Sequence, residues 1–146
     1  MFDEEIKITG SLNIILVDET GIVKDERDIK NVVVTTGKGY IASRMKDATA
    51  TAMSHMAIGT GTTAAVVGDT ALVSEANRQA LTSTAVSGGQ VTYSATFGNG
   101  QGTGALTEAA ILNASSGGTM LCRTVFSVIN KGANDTLAIT WTVTVS

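Results

Sequence analysis

The C-terminal part of the chain alternates between apolar and polar side chains almost without interruption. The apolar residues occupy every second position, namely Leu137, Ile139, Trp141, Val143 and Val145. A repeat of two places successive side chains on opposite faces of a strand. The pattern therefore predicts a long strand over residues 136–146 with one face in the core. Trp141 is the only tryptophan in the chain, and its large ring is predicted to anchor that core.

Similar patterns predict further strands upstream. Residues 6–16 should form a strand with a bulge or bend near Gly10, and the return should be irregular. Residues 120–129 are apolar on both faces, which predicts a central strand covered on both sides. The other predicted strands are 22–24 and 29–34 in the return, 56–58, 75–86, and 91–97 after the turn at 87–90.

One short helix interrupts this series. Residues 38–46 carry Ile41 and Met45 four residues apart, and Thr35 or Thr36 can cap the N-terminus. The segment 62–70 reads as a long loop with a helical turn near 70–72. The sequence thus predicts a mainly β fold, an antiparallel β-sandwich or jelly-roll-like domain with one short helix. A flexible arm over 1–5 should precede a single β domain over 6–146.

Bulk properties exclude several classes of protein. The net charge of −3 and the pI near 5.0 provide no basic surface for nucleic acid. No apolar run approaches the roughly 18–20 residues of a membrane span, and the acidic N-terminus is unlike a secretory signal. Cys122 is the only cysteine, so no internal disulfide can form. We expect synthesis in a reducing cytosol and no contact with nucleic acid or membrane.

Few residues suggest catalysis or ligand binding. The motif Gly59-Thr60-Gly61-Thr62-Thr63-Ala64 matches a dinucleotide fingerprint, but no amphipathic helix follows, so it is interpreted as a loop. His55 is the only histidine, and Ser54 beside it should point to the opposite face. One histidine and one cysteine also fall short of a zinc site. The sequence predicts no catalytic residue, no metal site and no cofactor.

Charged residues within apolar strands need partners when they are covered. Glu108 and Arg123 are such residues, and we expect them to form a cross-strand ion pair. The acidic run Asp3-Glu4-Glu5 is either solvated surface or a contact with a basic neighbour.

Several segments in a fixed order resemble small virion proteins of tailed bacteriophages. The segments span nearly the whole chain: 31–38, 55–63, Asp69-Thr70-Ala71-Leu72 leading to Glu75 and Arg78, 106–111, and 117–123. Some proteins of this kind decorate phage heads, and others belong to the tail, the baseplate or the fibre attachment. The resemblance implies a structural protein made in the host cytoplasm and carried in the virion.

The leading hypothesis is a non-enzymatic capsid decoration, or cement, protein that binds the outside of the major capsid lattice. Phe2, Asp3, Glu4 and Glu5 are the predicted partner contacts, because an exposed aromatic on an arm can become ordered on binding. A homo-oligomer, trimer or dimer, is expected, since strand edges are safest when they are paired. The alternatives are a tail, baseplate or fibre-attachment protein and, more remotely, a small hydrolase.

Overall fold

The fold consists of two antiparallel sheets and one helix. The computed structural model describes residues 5–46 and 50–146. Strands take up 54% of these residues and the helix 7%. The predicted class, a mainly β sandwich of antiparallel sheets with one short helix, is confirmed.

The elements follow one another along the chain with the helix between the third and fourth strands. They are β1 (Ile8–Val17), β2 (Val23–Lys30), β3 (Val32–Val33), α1 (Thr35–Arg44), β4 (His55–Gly59), β5 (Glu75–Ala80), β6 (Ser83–Ser87), β7 (Gln90–Phe97), β8 (Gly104–Leu112), β9 (Met120–Lys131) and β10 (Thr136–Val145). One five-stranded sheet has the order β2-β1-β10-β7-β6, and the other has the order β3-β9-β8-β4-β5. Both sheets contribute side chains to the main apolar core.

Trp141 lies at the centre of the first sheet, as the alternation predicted. It stands between Leu12 of β1 and Tyr93 of β7 in the strand register, and its side chain is buried in the main core. Its indole N–H donates a hydrogen bond to Asn31 Oδ1 at 2.8 Å. Buried indole N–H groups usually find such a partner. Asn31 joins β2 to β3, so Trp141 is bonded to the first point at which the chain passes from one sheet to the other.

The N-terminal strands differ from the prediction. No bulge occurs at Gly10, which pairs in register with Val143, and β1 instead shifts register against β2 at Leu16 and Val17. A Cβ at Gly10 would overlap the side chain of Asn31. The glycine therefore makes room for that side chain. The return strand β2 runs unbroken from Val23 to Lys30, and the end of the predicted piece 29–34 is instead β3 in the other sheet.

The predicted strand over 75–86 is two strands in different sheets. The backbone N–H of Leu81 donates to Ser54, beside the second sheet, and that of Thr82 donates to Ser94 in the first. Two adjacent residues thus carry the chain across the sandwich. The neighbouring hairpin is confirmed, with Ser87 opposite Gln90.

One smaller expectation was wrong, and another was confirmed. No helical turn forms at 70–72, where the chain stays irregular. The strand predicted over 120–129 is β9, which lies between β3 and β8 and is buried on both faces over residues 120–124, as predicted.

Helix α1 begins three residues earlier than predicted and has no side-chain cap. Val34 occupies the N-cap position, and the Thr36 hydroxyl donates instead to the carbonyl of Met120 at 3.2 Å. Gly37 and Gly39 lower the helix propensity of the first turns, so the sequence pattern did not predict that the helix begins at Thr35. Gly37 is buried because the helix packs closely on β9 at this point.

Substituting the two helical glycines separately should change stability in opposite directions. Gly37→Ala should destabilise the fold, because its Cβ would overlap the backbone carbonyl of Leu121 and push the helix off the sheet. Gly39→Ala meets no atom within 4 Å, and it should stabilise by about 0.5–1 kcal/mol through helix propensity. Urea unfolding of both variants measures the difference, and equal effects would contradict this packing.

Candidate functional site

The best-formed polar cluster lies on the face of the second sheet that points away from the main core. Glu108 of β8 stands opposite Val125 of β9, and Arg123 of β9 stands opposite Ala110. Glu108 and Ala110 are two residues apart, so Glu108 and Arg123 share a face as diagonal neighbours. Both side chains are completely buried. The ion pair predicted from the sequence is therefore present.

Arg123 uses each of its guanidinium nitrogens. Nε and Nη2 donate to Glu108 Oε1 at 3.2 and 3.0 Å. Nη1 donates to Asp69 Oδ2 at 2.8 Å, and Nη2 also donates to the carbonyl of Thr63 at 2.9 Å. A planar guanidinium can hold such a fixed set of acceptors where a lysine could not. Arg123 therefore bonds both to its own sheet and to the loop above it.

The Glu108 carboxylate is the acceptor for that same loop. The backbone N–H groups of Gly61 and Ser74 donate to Oε2 at 2.7 and 2.8 Å, and that of Val73 donates to Oε1 at 2.9 Å. Burial by itself raises the pKa of Glu108. The hydrogen bonds from Ser74, Val73, Arg123 and Gly61 outweigh it, so the net pKa lies below the ordinary value. The group is a carboxylate at neutral pH.

Together these contacts fix residues 60–74, a segment defined here as the clamped loop. The glycine motif at its start is explained by the same carboxylate. A Cβ at Gly59 or Gly61 would press on the Glu108 carboxylate and on neighbouring loop atoms. The Thr107 hydroxyl also donates to the carbonyl of Gly61 at 2.7 Å. The resemblance to a dinucleotide fingerprint reflects close approach to a glutamate of the same chain, and the loop interpretation is confirmed.

The outer part of the clamped loop presents apolar side chains. Val66 and Val67 are each 56% exposed. The backbone around them is nevertheless tied down, because Val67 accepts a hydrogen bond from the N–H of Thr35 at 2.8 Å and Val66 donates to Asp69 at 2.9 Å. These two valines are therefore held in a defined position on the surface.

A second set of buried charges ties together loops at another end of the sheets. Lys131 is buried and donates to the carbonyl of Gly98 at 2.7 Å. Asp135 accepts from Lys24 Nζ and from the N–H of Gly132, both at 2.7 Å. The Lys24 ammonium and the Gly132 N–H lower the pKa of Asp135. Lys131 and Asp135 therefore also hold loop backbone in place through their hydrogen bonds.

The histidine and the cysteine lie apart from this network. Ser54 Oγ lies 2.8 Å from His55 Nδ1, so the expectation that these two side chains diverge was wrong. Ser54 precedes β4 and is outside the pleat, where strict alternation does not apply. Cys122 is buried, and desolvation raises the pKa of its thiol. Within the described ranges, no carboxylate hydrogen-bonds to His55.

The predicted arm is described only at its last residue. Phe2, Asp3 and Glu4 lie outside the described residues, whereas Glu5 is exposed and precedes the first strand. Lys7 exchanges two backbone hydrogen bonds of 2.9 Å with Ser146. The N-terminal segment therefore leaves the first sheet beside the end of β10.

An open groove of about 440 Å³ borders the ionic cluster, with Lys30, Asn31, Thr62 and Arg123 among its lining residues. Arg123 directs four of its five N–H groups at Glu108, Asp69 and Thr63, so its guanidinium is largely committed to groups of the same chain. Residues 5–46 and 50–146 contain no group of three histidine, cysteine or acidic residues able to hold a metal ion. No helix in these ranges is long and apolar enough to cross a membrane.

No protein-family model, curated protein or solved structure matches the chain. The residues that sequence reasoning missed are Asp69 and the three backbone donors to Glu108. Asp69 lies 54 positions from Arg123 along the chain, and no local periodicity connects the two. The only available signal was that a buried arginine has more donors than one glutamate can satisfy.

Breaking the Glu108–Arg123 pair from either side should destabilise the protein strongly. Glu108→Gln or Arg123→Met leaves the other charge poorly compensated, which costs about 3–5 kcal/mol for a buried pair. The double variant should cost less than the sum of the single variants, because neither charge then remains. Urea unfolding of all three variants measures this coupling.

The matched control is Glu75→Gln, which removes one partner of the more exposed pair with Arg78. Its effect should stay below about 1 kcal/mol. Additive costs for Glu108→Gln and Arg123→Met would contradict a coupled pair.

The same carboxylate should make stability depend on acid pH. Because the folded-state pKa of Glu108 is lowered from 4.5, its contribution is fully present above about 4.5 and is lost as the pH falls through the folded pKa. The stability difference between the wild type and Glu108→Gln should therefore shrink below pH 4.5. Asp18 and Asp135 also have lowered pKa values, so the variant keeps part of the acid sensitivity. A difference that stays constant down to pH 3 in urea titrations would contradict this assignment.

Proposed function

We propose that this protein is a structural component of a tailed-phage virion, and specifically a capsid decoration protein that binds the outside of the major capsid lattice. The phage assignment comes from the resemblance of the ordered segments described above. The structural role is supported by one observation in particular. The buried Glu108, Arg123 and Asp69 groups bond to backbone and to one another, and what they produce is a fixed surface loop.

This arrangement suits a protein that acts by binding a surface. Val66 and Val67 offer exposed apolar area on backbone that is already ordered, so less conformational entropy is lost when a partner covers them. The predicted arm with Phe2 and its acidic residues would supply a second contact. Two separate contacts of this kind fit attachment to a preformed lattice.

The Ser54–His55 contact is the one observation that favours a hydrolase. A serine nucleophile needs a base that is itself oriented by a third group. Such an orienting bond runs from an imidazole N–H to a carboxylate, and His55, whose Nδ1 faces Ser54, has no carboxylate partner among the described residues. We therefore rank a hydrolase below the structural role.

The proposal is tested by the copy number of the protein in purified virions. Virions are separated into heads and tails, and the gel band of this chain is scaled to the major capsid band. Decoration predicts a near-stoichiometric band in the head fraction, because a cement protein repeats with the lattice. A handful of copies in the tail fraction would overturn decoration in favour of a tail, baseplate or fibre-attachment role. Absence from both fractions would overturn the virion assignment.

A further inference from the structure

The strand β6 is an open edge of the first sheet. It lies at the end of the strand order and pairs with β7 alone. All five of its residues, Ser83 to Ser87, are exposed. In an antiparallel strand, every second residue points its N–H and C=O groups toward one neighbouring strand, and the residues between point theirs to the opposite side. The outer side of β6 therefore presents N–H and C=O groups ready to bond to another strand.

This edge lacks the charges that usually prevent strands from pairing. No charged residue occurs between Arg78 and Glu108, a segment that contains β6, the turn at Gly88 and all of β7. Exposed edges are normally protected by charged side chains, by proline or by short length. The strand Ser83-Thr84-Ala85-Val86-Ser87 has neither charge nor proline.

The other sheet edges are protected in these ways. The sequence of β2 is Val-Lys-Asp-Glu-Arg-Asp-Ile-Lys, and its Arg27 also bonds to carbonyls of β9. The edge strand β3 has only two residues. On β5, Glu75 and Arg78 form an ion pair of 2.7 Å. Among the strands that the structure describes, β6 is the edge best suited to pairing.

An apolar groove of about 380 Å³ adjoins the core-facing side of β6. Thr84 and Val86 line it from β6, and Tyr40, Ile41 and Tyr93 are among the residues on its other walls. Val86 is 74% exposed at the edge of the groove. Burial raises the pKa of Tyr93 to about 12, so its phenol is neutral. Arg44 is the charged residue among the described lining, and its guanidinium carbon lies 5.8 Å from the Tyr40 ring centroid.

We propose that β6 pairs antiparallel with β6 of a second copy of this chain, around a two-fold axis at Ala85. In this register Ser83 lies opposite Ser87 of the second copy and Ala85 lies opposite itself. Thr84 lies opposite Val86 of the second copy, so each Val86 is brought to the mouth of the groove. The pairing joins the two first sheets into one continuous sheet.

A second copy is the occupant that the charges favour. A two-fold interface brings each residue against the same surface patch, so any charge near the axis would meet a like charge. The uncharged β6 avoids that repulsion, whereas β2 would not. The inference concerns self-association and stands whether or not the protein belongs to a virion.

The test is the mass of the full chain by sedimentation equilibrium across a range of concentrations. The wild type should approach twice the chain mass of 14.9 kDa. Ala85→Lys places two ammonium groups opposite each other at the axis and should reduce the mass about twofold, to that of a monomer. Val66→Lys is the matched control, because it adds the same charge to an exposed position away from β6 and should leave the dimer intact.

A second variant checks the register without relying on loss of binding. Ala85→Cys should give a disulfide-linked dimer under mild oxidation, whereas Val66→Cys should not, and the buried Cys122 should not react in either. A wild type that remains monomeric, an Ala85→Lys variant that remains dimeric with native circular dichroism, or association into aggregates without a discrete dimer would each overturn the proposal.

Discussion

The Glu108 carboxylate is the group on which the outer face of the second sheet depends. It receives two hydrogen bonds from Arg123 and three from backbone N–H groups of the clamped loop. Without it, three loop N–H groups would lose their acceptor and the buried guanidinium would lose one of its three acceptor groups, at a cost in free energy for each. Because positions 59 and 61 are glycines without a Cβ, the backbone can approach this carboxylate closely. One side chain thus accounts for a motif, a loop and the burial of an arginine.

A buried ion pair is weak evidence for net stability, because desolvation offsets the attraction between the charges. Its value here is geometric. An apolar pair of similar volume could fill the same space but could not orient Gly61, Val73 and Ser74 by their N–H groups. The network instead specifies one conformation for the clamped loop. The exposed Val66 and Val67 are therefore held in fixed positions. A rigid apolar contact fits a binding protein, and it connects the charge network to the proposed role on a capsid.

The two sheets differ in how much of each is covered by the rest of the chain. The second sheet is covered by the helix and by the clamped loop, and its small outer apolar cluster packs beneath them. The first sheet leaves the uncharged edge β6 open. The outer face of the second sheet is therefore covered by other parts of the same chain, whereas the first sheet has an edge strand with which a second copy can pair. A dimer formed there would leave the clamped loop available to a different partner.

The sequence by itself determined the β class, the inward face of β10 with Trp141, the hairpin at Gly88 and the pairing of Glu108 with Arg123. These follow from a repeat of two, from turn residues and from the need to pair buried charges, all of which operate over short range or leave few candidates. The tertiary structure decided where the chain crosses between sheets, at Asn31, at Leu81–Thr82, between β7 and β8 and between β9 and β10, and which distant groups meet. Asp69 reaches Arg123 only because strand order and loop path bring them together, and the Ser54 hydroxyl turns toward the adjacent His55 because Ser54 lies just before β4 begins. Such contacts depend on the whole fold, since no local periodicity encodes a partner many residues away or the irregular backbone at a strand end.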